Sequence, residues 1–352
     1  MNYSIIVPVF NRPDEVDELL QSLCHQTVKD FEVIVVEDGS TVTCKDVCGK
    51  YAGILDLHYY YKENSGPGQS RNYGAERAKG EWLIVLDSDV VLPEGYMRSL
   101  TPDPSAMGRE AGGEAISAWG GPDAAHPSFS PVQKAISYSM TSFFTTGGIR
   151  GGSSPLGGKK RGALDKFYPR SYNMGILREV YQKLGGFSKM RFGEDIDFSY
   201  RIVEAGYKTA LIPEAWVWHK RRTDFKKFFR QVYNSGIARI NLTKRHPGTL
   251  KLVHLLPTVF TLGVIGLLLL FMLGAALHAE GEWLALIPLI LYSSIIFIDS
   301  SIRNRSLWVG LLSIPAAFTQ LMGYGLGFIE AWWKRCVLGK DEFQAFEKNF
   351  YK

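Results

Sequence analysis

Tyr3–Cys24 reads YSIIVPVFNRPDEVDELLQSLC and decides the fold of this 352-residue chain. Its first seven residues, Tyr3–Val9, form a β-branched run that predicts a strand. Pro13 then opens a helix, because apolar side chains recur behind it at the helical spacing i, i+3, i+4 and i+7. These side chains are Val16, Leu19, Leu20 and Leu23. A strand followed at once by an amphipathic helix is the unit from which parallel sheets are built.

The same alternation continues through residue 86. Residues 31–36, 57–61 and 82–86 are strand-like, and residues 44–52 and 68–78 are helix-like. Each return to a parallel strand needs a crossover connection. This order therefore predicts an α/β fold with a Rossmann-like, mostly parallel sheet.

Polar residues follow each predicted strand at its carboxyl end. They are Asn11-Arg12, Glu37-Asp38-Gly39-Ser40, Asn64-Ser65-Gly66 and Asp87-Ser88-Asp89. Any one of these clusters could be an ordinary solvated loop, but ligands of such sheets bind outside the carboxyl ends of the strands. Four clusters on one rim therefore predict a binding edge.

The first predicted strand is not followed by a glycine-rich phosphate loop. Residues 10–15 read FNRPDE and contain no glycine, which excludes the G-x-G-x-x-G turn of dinucleotide enzymes, and a P-loop is missing as well. The charge of a bound diphosphate must then be neutralised in another way. Asp87 and Asp89 can be brought to one hard divalent cation, because such ions take carboxylates together with phosphates.

Several of these motifs, in their order and spacing, resemble the nucleotide-sugar-binding half of family 2 glycosyltransferases with the GT-A fold. They are VPVFNR at 7–12, EDGS at 37–40, GPGQSRN at 66–72 and DSD at 87–89. The resemblance continues through NMGI at 173–176, GGF at 185–187 and GEDID at 193–197 to about Arg239. It covers most of the chain that precedes the apolar C-terminal third.

The resemblance implies which residues bind the donor and the metal. The nucleotide-sugar-binding positions would be Pro8, Val9, Phe10, Asn11, Arg12, Glu37, Asp38, Gly66, Arg71, Asn72, Asp87 and Ser88. Asp87 and Asp89 would serve the ribose and a Mg²⁺ or Mn²⁺ ion. Related folds use a late histidine near the diphosphate, so His219 is a candidate metal ligand, although a lone histidine is usually structural.

Glu194-Asp195 stands at the start of a predicted helix over 196–205. The predicted apolar stripe of this helix is Ile196, Tyr200 and Val203. Acids at a helix start often only satisfy free N–H groups and the helix dipole. In the family that the sequence resembles, this Asp is the general base, which implies catalysis by Asp195 with Glu194 beside it. One base and one displacement imply inversion at the anomeric carbon.

The acceptor side is less defined by the sequence. Residues 101–172 are rich in Gly, Ser and Pro, with one predicted helix over 132–145. Gly147–Gly162 carries seven glycines together with Lys159, Lys160 and Arg161, and it is either a flexible surface loop or a mobile flap over the acceptor. Processive synthases of the family carry Gln-x-x-Arg-Trp, whereas Gln231 is followed here by VYNS, so transfer of single sugars is expected.

The charge and the apolar residues are concentrated in separate segments. The chain has 40 Lys and Arg against 35 Asp and Glu, for a net charge of +5. Ten basic residues against one acid lie between Lys220 and Lys251, where Asp224–Arg245 predicts a basic amphipathic helix on the cytoplasmic leaflet. The apolar runs 252–277, 283–298 and 307–329 then predict a membrane anchor.

These observations divide the chain into a cytosolic GT-A domain (1–223), an interfacial helix (224–251), two or three transmembrane helices (252–333) and a basic tail (334–352). No signal peptide is evident at the start, so the first 250 residues are expected to stay in the cytosol. Together with the apolar runs, this predicts a multi-pass protein of the bacterial inner membrane. A third crossing would place the basic tail outside, against the positive-inside rule, and this conflict stays open.

The predicted activity is inverting, metal-dependent transfer of a hexosyl or hexosaminyl group. The donor would be a UDP-, GDP- or dTDP-sugar, and the acceptor a lipid-linked or cell-envelope glycan. Membrane lipids are expected partners and nucleic acid is not. The alternatives are a nucleotidyltransferase acting on a sugar phosphate and a non-catalytic membrane scaffold with the same fold.

Overall fold

A computed structural model describes residues 2–101, 115–146, 162–164 and 167–345. Among these residues the chain forms two compact units. The first unit contains residues 2–126 and 162–220, and the second contains 127–146 and 221–345.

The elements follow one another in this order. The first half contains β1 (Tyr3–Val9), α1 (Pro13–Cys24), β2 (Phe31–Asp38), α2 (Lys45–Tyr51), β3 (Leu57–Lys62), α3 (Pro67–Ala75), β4 (Trp82–Leu86), β5 (Val90–Val91), α4 (Tyr96–Ser99), β6 (Ile116–Gly120), β7 (Asp123–Ala124), α5 (Pro131–Thr141) and α6 (Phe143–Thr146). The second half contains β8 (Gly162–Leu164), β9 (Asn173–Leu177), α7 (Arg178–Lys183), α8 (Glu194–Glu204), β10 (Lys208–Leu211), β11 (Val217–His219), α9 (Phe225–Arg245), α10 (Leu256–Ala276), α11 (Ile287–Asn304) and α12 (Leu307–Trp332).

The first unit is built on an eight-stranded mixed sheet with the order β3-β2-β1-β4-β9-β6-β10-β8. The four strands at one side run parallel, with Ile5 of β1 opposite Val33 of β2 and Ile84 of β4. β9 runs antiparallel between β4 and β6, and β8 is antiparallel to β10. The predicted α/β, mostly parallel architecture is confirmed. Three short strands, β5, β11 and β7, form a second sheet.

Both faces of the large sheet are buried, which explains its nearly continuous apolar strands. The apolar stripe of α1 packs on one face, as predicted from its spacing. On the other face, Phe198 and Ile202 of α8 are fully buried. The predicted stripe of this helix was wrong in part, because Ile196 and Val203 are only half-buried. Glu194 lies on the same face as Phe198 and Ile202 at spacing i, i+4, i+8, so the acidic end of α8 points inward.

The second unit is helical. The helix predicted over 132–145 is interrupted at Ser142, whose backbone is extended between α5 and α6. α9 matches the predicted amphipathic helix, and the Asp224 carboxylate caps it by accepting from Lys227 N at 2.7 Å. Three segments, Leu252–Ala276, Glu282–Asn304 and Leu307–Val337, are long and apolar enough to cross a membrane.

Candidate active site

The polar rim predicted from the sequence lies at the carboxyl ends of β1, β2 and β4. Asn11 adopts a left-handed backbone with φ of 52°. Its amide N–H donates to Ser40 Oγ at 2.8 Å, and its Oδ1 accepts from the backbone N–H groups of Thr41 and Val42. Asn11 therefore joins the loops that follow β1 and β2, which fixes one side of the rim.

Asp38 organises the loop that follows β3. Its Oδ1 accepts from Lys62 Nζ at 2.6 Å and from Ser65 N at 2.9 Å, and its Oδ2 accepts from Gly66 N at 2.9 Å. Gly66 directly precedes α3 and has φ of 92°, a conformation that favours glycine. The carboxylate is thus buried and held at the edge of the sheet.

A single guanidinium joins two carboxylates of the rim. Arg71 is buried and donates through Nη2 to Asp87 Oδ1 at 2.8 Å and through Nη1 to Glu194 Oε1 at 2.9 Å. Burial opposes the charge of Arg71, but the two carboxylates outweigh it and raise its pKa. Arg71 therefore stays charged and links the end of β4 to the start of α8.

Glu194 and Asp195 are adjacent buried acids with opposite pKa shifts. Burial raises the pKa of Glu194 to about 7, partly offset by Arg71. Burial would also raise the pKa of Asp195, but Arg170 holds it below the ordinary value. Arg170 donates from Nε to Asp195 Oδ2 at 2.6 Å, and the backbone N–H of Ile196 donates to Oδ1 at 2.9 Å. Asp195 is thus the carboxylate of the pair that stays ionised at neutral pH.

Asp87, Asp89 and His219 form a candidate cation site. One ligand atom from each side chain lies within 4.8 Å of the others, and His219 Nε2 is 3.4 Å from Asp89 Oδ1. Arg12 donates to the other oxygen of Asp89 at 2.7 Å, and the His219 ring stacks on Tyr172. Carboxylates suit Mg²⁺ and Mn²⁺, and imidazole is compatible with a first-row transition ion, so this donor set fits a divalent cation.

A second group of potential ligands lies at the opposite edge of the sheet. Glu32, Asp56 and His58 are near the amino ends of β2 and β3, and their ligand atoms also lie within 4.8 Å of one another. His58 Nε2 is 3.1 Å from Asp56 Oδ1. His58 Nε2 is also 3.4 Å from Glu32 Oε2, and this group is remote from the rim.

Three predicted nucleotide-binding side chains are buried or bonded within the protein and are not presented on the rim. Glu37 is fully buried, and its carboxylate accepts from Ser40 and from Cys44 N. Asn72 donates to Phe187 O at 2.8 Å and accepts from Phe187 N at 2.8 Å. The side chain of Val9 is in the core as well.

The remaining predicted site residues, in contrast, border the rim or its loops. They are Pro8, Phe10, Asn11, Arg12, Asp38, Gly66, Arg71, Asp87, Ser88, Asp89, Glu194, Asp195 and His219.

Arg170 and Tyr172 are site neighbours that the sequence analysis missed. Both lie in an irregular stretch before β9 without periodicity, and only the fold brings them to Asp195 and His219. The glycine-rich segment 147–162, predicted to be a loop or flap, lies outside the described residues except for Gly162.

The fold and the rim define an α/β protein of the GT-A type. A mannosyltransferase from Pyrobaculum calidifontis, solved in complex with GDP-Man and Mn²⁺, matches with a TM-score of 0.58. The match covers 91% of this chain and 87% of that one at 18% identity, so it supports the fold alone.

Two family models match separate parts of the sequence. Glycosyl transferase family 2 matches residues 4–102, and glycosyl transferase family group 2 matches residues 171–318. The chain belongs to the family 2 glycosyltransferases.

Curated relatives of the chain are named as glycosyltransferases or as a glucosyltransferase. A pre-mycofactocin glycosyltransferase of Mycobacterium tuberculosis is 25% identical over 341 residues, covering 89% of this chain and 63% of the relative. A validoxylamine A glucosyltransferase of Streptomyces hygroscopicus is 37% identical over 101 residues, covering 28% and 24%. A Rickettsia felis glycosyltransferase is 36% identical over 86 residues, covering 24% and 14%. The chain thus spans between 14% and 63% of the length of these relatives.

Proposed function

We propose that the chain is an inverting, metal-dependent glycosyltransferase that moves one hexosyl or hexosaminyl group per event from a nucleotide-sugar donor. The observation that carries this proposal is the rim on which Arg71 joins Asp87 of the candidate cation site to Glu194, next to Asp195. One buried arginine thereby joins the proposed donor site to the helix start that carries the proposed base.

The donor would bind over the carboxyl ends of β1, β2 and β4. The nucleoside would be bordered by Pro8, Phe10, Asn11, Arg12 and Asp38, and the diphosphate by Asp87 and Ser88. Asp87, Asp89 and His219 would hold Mg²⁺ or Mn²⁺, which when bound supplies positive charge to the diphosphate leaving group. We assign Glu37 and Asn72 a supporting role, because their polar atoms already hold the loops behind the rim.

Asp195 is the proposed general base. The hydroxyl oxygen of the acceptor attacks the anomeric carbon, the bond from that carbon to the diphosphate oxygen breaks, and the hydroxyl proton passes to the Asp195 carboxylate. Arg170 keeps this carboxylate ionised and oriented before the acceptor arrives. A single displacement of this kind inverts the anomeric carbon.

The acceptor and the location complete the proposal. The apolar helices and the basic α9 support a lipid-linked or cell-envelope glycan acceptor at the cytoplasmic face of a bacterial inner membrane. UDP-, GDP- and dTDP-sugars are the donor candidates, and binding across such a panel with Mn²⁺ identifies the nucleotide.

The decisive variant is Asp195→Asn, assayed for donor binding and for sugar transfer. We expect donor binding to be kept and transfer to fall about 10³-fold, since the variant lacks only the proton acceptor. Asp197→Asn is the matched control: Asp197 is also a buried acid in the first turn of α8, paired with Arg201 rather than with Arg170. It should lose stability and keep transfer per folded molecule. Near-normal transfer by Asp195→Asn would refute the assignment of the base.

A further inference from the structure

The three apolar helices differ in how they meet the rest of the second unit. In the most apolar 18 residues of Leu252–Ala276 and of Glu282–Asn304, only 11% of the residues are buried, against 50% in those of Leu307–Val337. The mean hydropathy of these 18-residue stretches is 2.5, 1.9 and 1.3 in chain order. On α10, Gly263 and Gly266 face open space, which suits a lipid-facing surface. α12 instead has other helices of this unit around it.

The second half of α12 is covered by α9. Gly327 and Gly323 leave no space for a Cβ because the backbone of Tyr233 and the side chain of Val232 lie against them. Gly236 of α9 is packed in the same way against Tyr324. The two helices are therefore in backbone contact along this part of α12.

Polar contacts extend the pairing of α9 and α12 to their ends. Tyr233 Oη donates to Glu330 Oε2 at 2.5 Å, and Lys244 Nζ donates to the carbonyl of Arg335 at 2.6 Å. α9 carries six Lys and Arg residues, and such a helix lies at the surface of a bilayer and not in its hydrocarbon core. The part of α12 from Gly323 onward must then lie at the same surface.

The first half of α12 is covered by α5. Ala135 packs against Val309 and Ala316, and Tyr138 packs against Ala317. α5 reads PVQKAISYSMT and starts seven residues after the end of β7. Because it carries a lysine and several amide and hydroxyl side chains, it too is unsuited to the hydrocarbon core.

α12 meets α10 near the basic end of that helix, and it meets α11 from Tyr292, whose ring packs on Phe318, to Ser300 near the basic end. Leu255 and Thr261, at the start of α10, pack near Phe328 and Leu321. At the other helix, Ser300 near the end of α11 shares a 2.7 Å hydrogen bond with Ser313. The start of α10 follows Lys251, and the end of α11 precedes Arg305.

We infer that the chain crosses the membrane twice, as a hairpin of α10 and α11, and that α12 does not cross. α12 lies at the membrane surface, enclosed by α5, α9 and the parts of α10 and α11 that adjoin Lys251 and Arg305. All the basic segments of the second unit, including Lys334 and Arg335, are then on one side of the membrane, as the positive-inside rule requires. This inference rests on the membrane insertion included in the proposed function, and it removes the conflict raised by the basic tail.

Thiol labelling of the full chain in intact cells tests this topology. Cys336 is exposed and follows α12, so its labelling by a membrane-impermeant maleimide reports the side on which α12 ends. Lys50→Cys on α2 marks the side of the first unit, and Glu280→Cys marks the connection between α10 and α11; both positions are exposed. Peptide mass mapping assigns the label to each cysteine.

We expect intact cells to label Glu280→Cys, and to label Cys336 and Lys50→Cys only after permeabilisation. Labelling of Cys336 together with Glu280→Cys in intact cells would mean that α12 crosses, and it would overturn the inference. Equal behaviour of all three positions would show that the hairpin does not cross and would refute membrane insertion itself. Sugar transfer does not enter this readout, so the enzymatic assignment stands or falls separately.

Discussion

Arg170 decides the ionisation of Asp195 and therefore the pH at which the proposed base can work. Its Nε is 2.6 Å from Asp195 Oδ2, and its charge outweighs the burial that would raise the pKa of the carboxyl. A base with a lowered pKa stays competent well into the acidic range, and activity is lost only as the pH falls through that pKa.

Replacing Arg170 should move the acid limb of the pH–rate profile. In Arg170→Ala the burial of Asp195 remains without its cation, so the pKa of Asp195 rises above the ordinary value of about 3.9 and the limb moves to higher pH. Arg170→Lys keeps the charge and should keep most of the limb in place. The measurement is kcat against pH for the three proteins. A lower rate with an unmoved limb would mean that Arg170 has only a structural role.

Individual site residues differ in how far the sequence could predict them. The positions of four acids in the fold follow from periodicity, because each acid stands at the end of a predicted strand or at the start of a predicted helix. These acids are Asp87, Asp89, Glu194 and Asp195. Their chemical roles remain predictions. Arg170 could not be found in this way, because its partner lies 25 residues away and is reached through an irregular stretch. The inward direction of Glu37 also depends on the packing of Cys44 and Tyr59 around it.

At the scale of elements, the turn after α7 fixes α3 behind the rim. Gly186 has φ of 64°, and a Cβ there would lie 2.8 Å from the ring of Tyr181 and closer still to Oδ1 of Asn72. Asn72 in turn bonds both backbone polar groups of Phe187. This turn therefore holds α3, which carries Arg71, against the segment that leads to α8.

Gly186→Ala should destabilise the first unit strongly. The left-handed backbone costs about 1 kcal/mol for any residue with a Cβ, and displacing Asn72 adds roughly 1–3 kcal/mol from its broken hydrogen bonds. Gly185→Ala is the matched control, since Gly185 has φ of 74° but faces open space and should carry only the first cost. Thermal unfolding of the full chain in detergent compares the two. Equal losses would contradict the importance of the Asn72 contact.

The alternation of strands and helices up to β4 could be predicted because each element follows from local periodicity. β9 could not be placed, because its antiparallel pairing with β4 joins residues 173–177 to 82–86 across the sequence. The face of α8 was predicted wrongly in part, since a stripe counted from apolar residues ignores inward-pointing acids. Arg71 and Arg170 make it favourable for Glu194 and Asp195 to lie on the buried side.

At the scale of the whole molecule, the membrane-facing surface is provided by the hairpin of α10 and α11. Leu269 of α10 is 60% exposed and Leu311 of α12 is 50% exposed, so protein packing alone does not tell the two side chains apart. The inferred topology does, because it places Leu269 in the hydrocarbon core of the bilayer and Leu311 in the interfacial region.

A lysine at these two positions should therefore have unequal effects. Leu269→Lys places a charge near the middle of a spanning helix and should cost about 3 kcal/mol of insertion free energy, whereas Leu311→Lys should cost little. The measurement is the fraction of each full-length variant that stays in the membrane pellet after alkaline extraction. Similar losses for both variants would indicate that α12 is also embedded in lipid.

The three C-terminal segments that are long and apolar enough to cross a membrane could be predicted from composition, because this signal extends over tens of residues. Whether each apolar run crosses the membrane could not, because hydropathy reports length and polarity but not which neighbours cover a helix. The coverage of α12 by α5 and α9 depends on glycines and small residues whose contacts appear only in the folded unit.

Arg71 couples the candidate cation site to the start of α8. Because one guanidinium serves both Asp87 and Glu194, a change of charge at Asp87 alters the electrostatic potential at Glu194. Under the proposed function, a cation held by Asp87 would compete with Arg71 for that carboxylate, so Arg71 would favour the ionised form of Glu194 more strongly. By thermodynamic reciprocity, ionisation of Glu194 would favour the cation in turn. This coupling sets no order of donor and acceptor binding, but it makes each of the two proposed sites sensitive to the charge of the other.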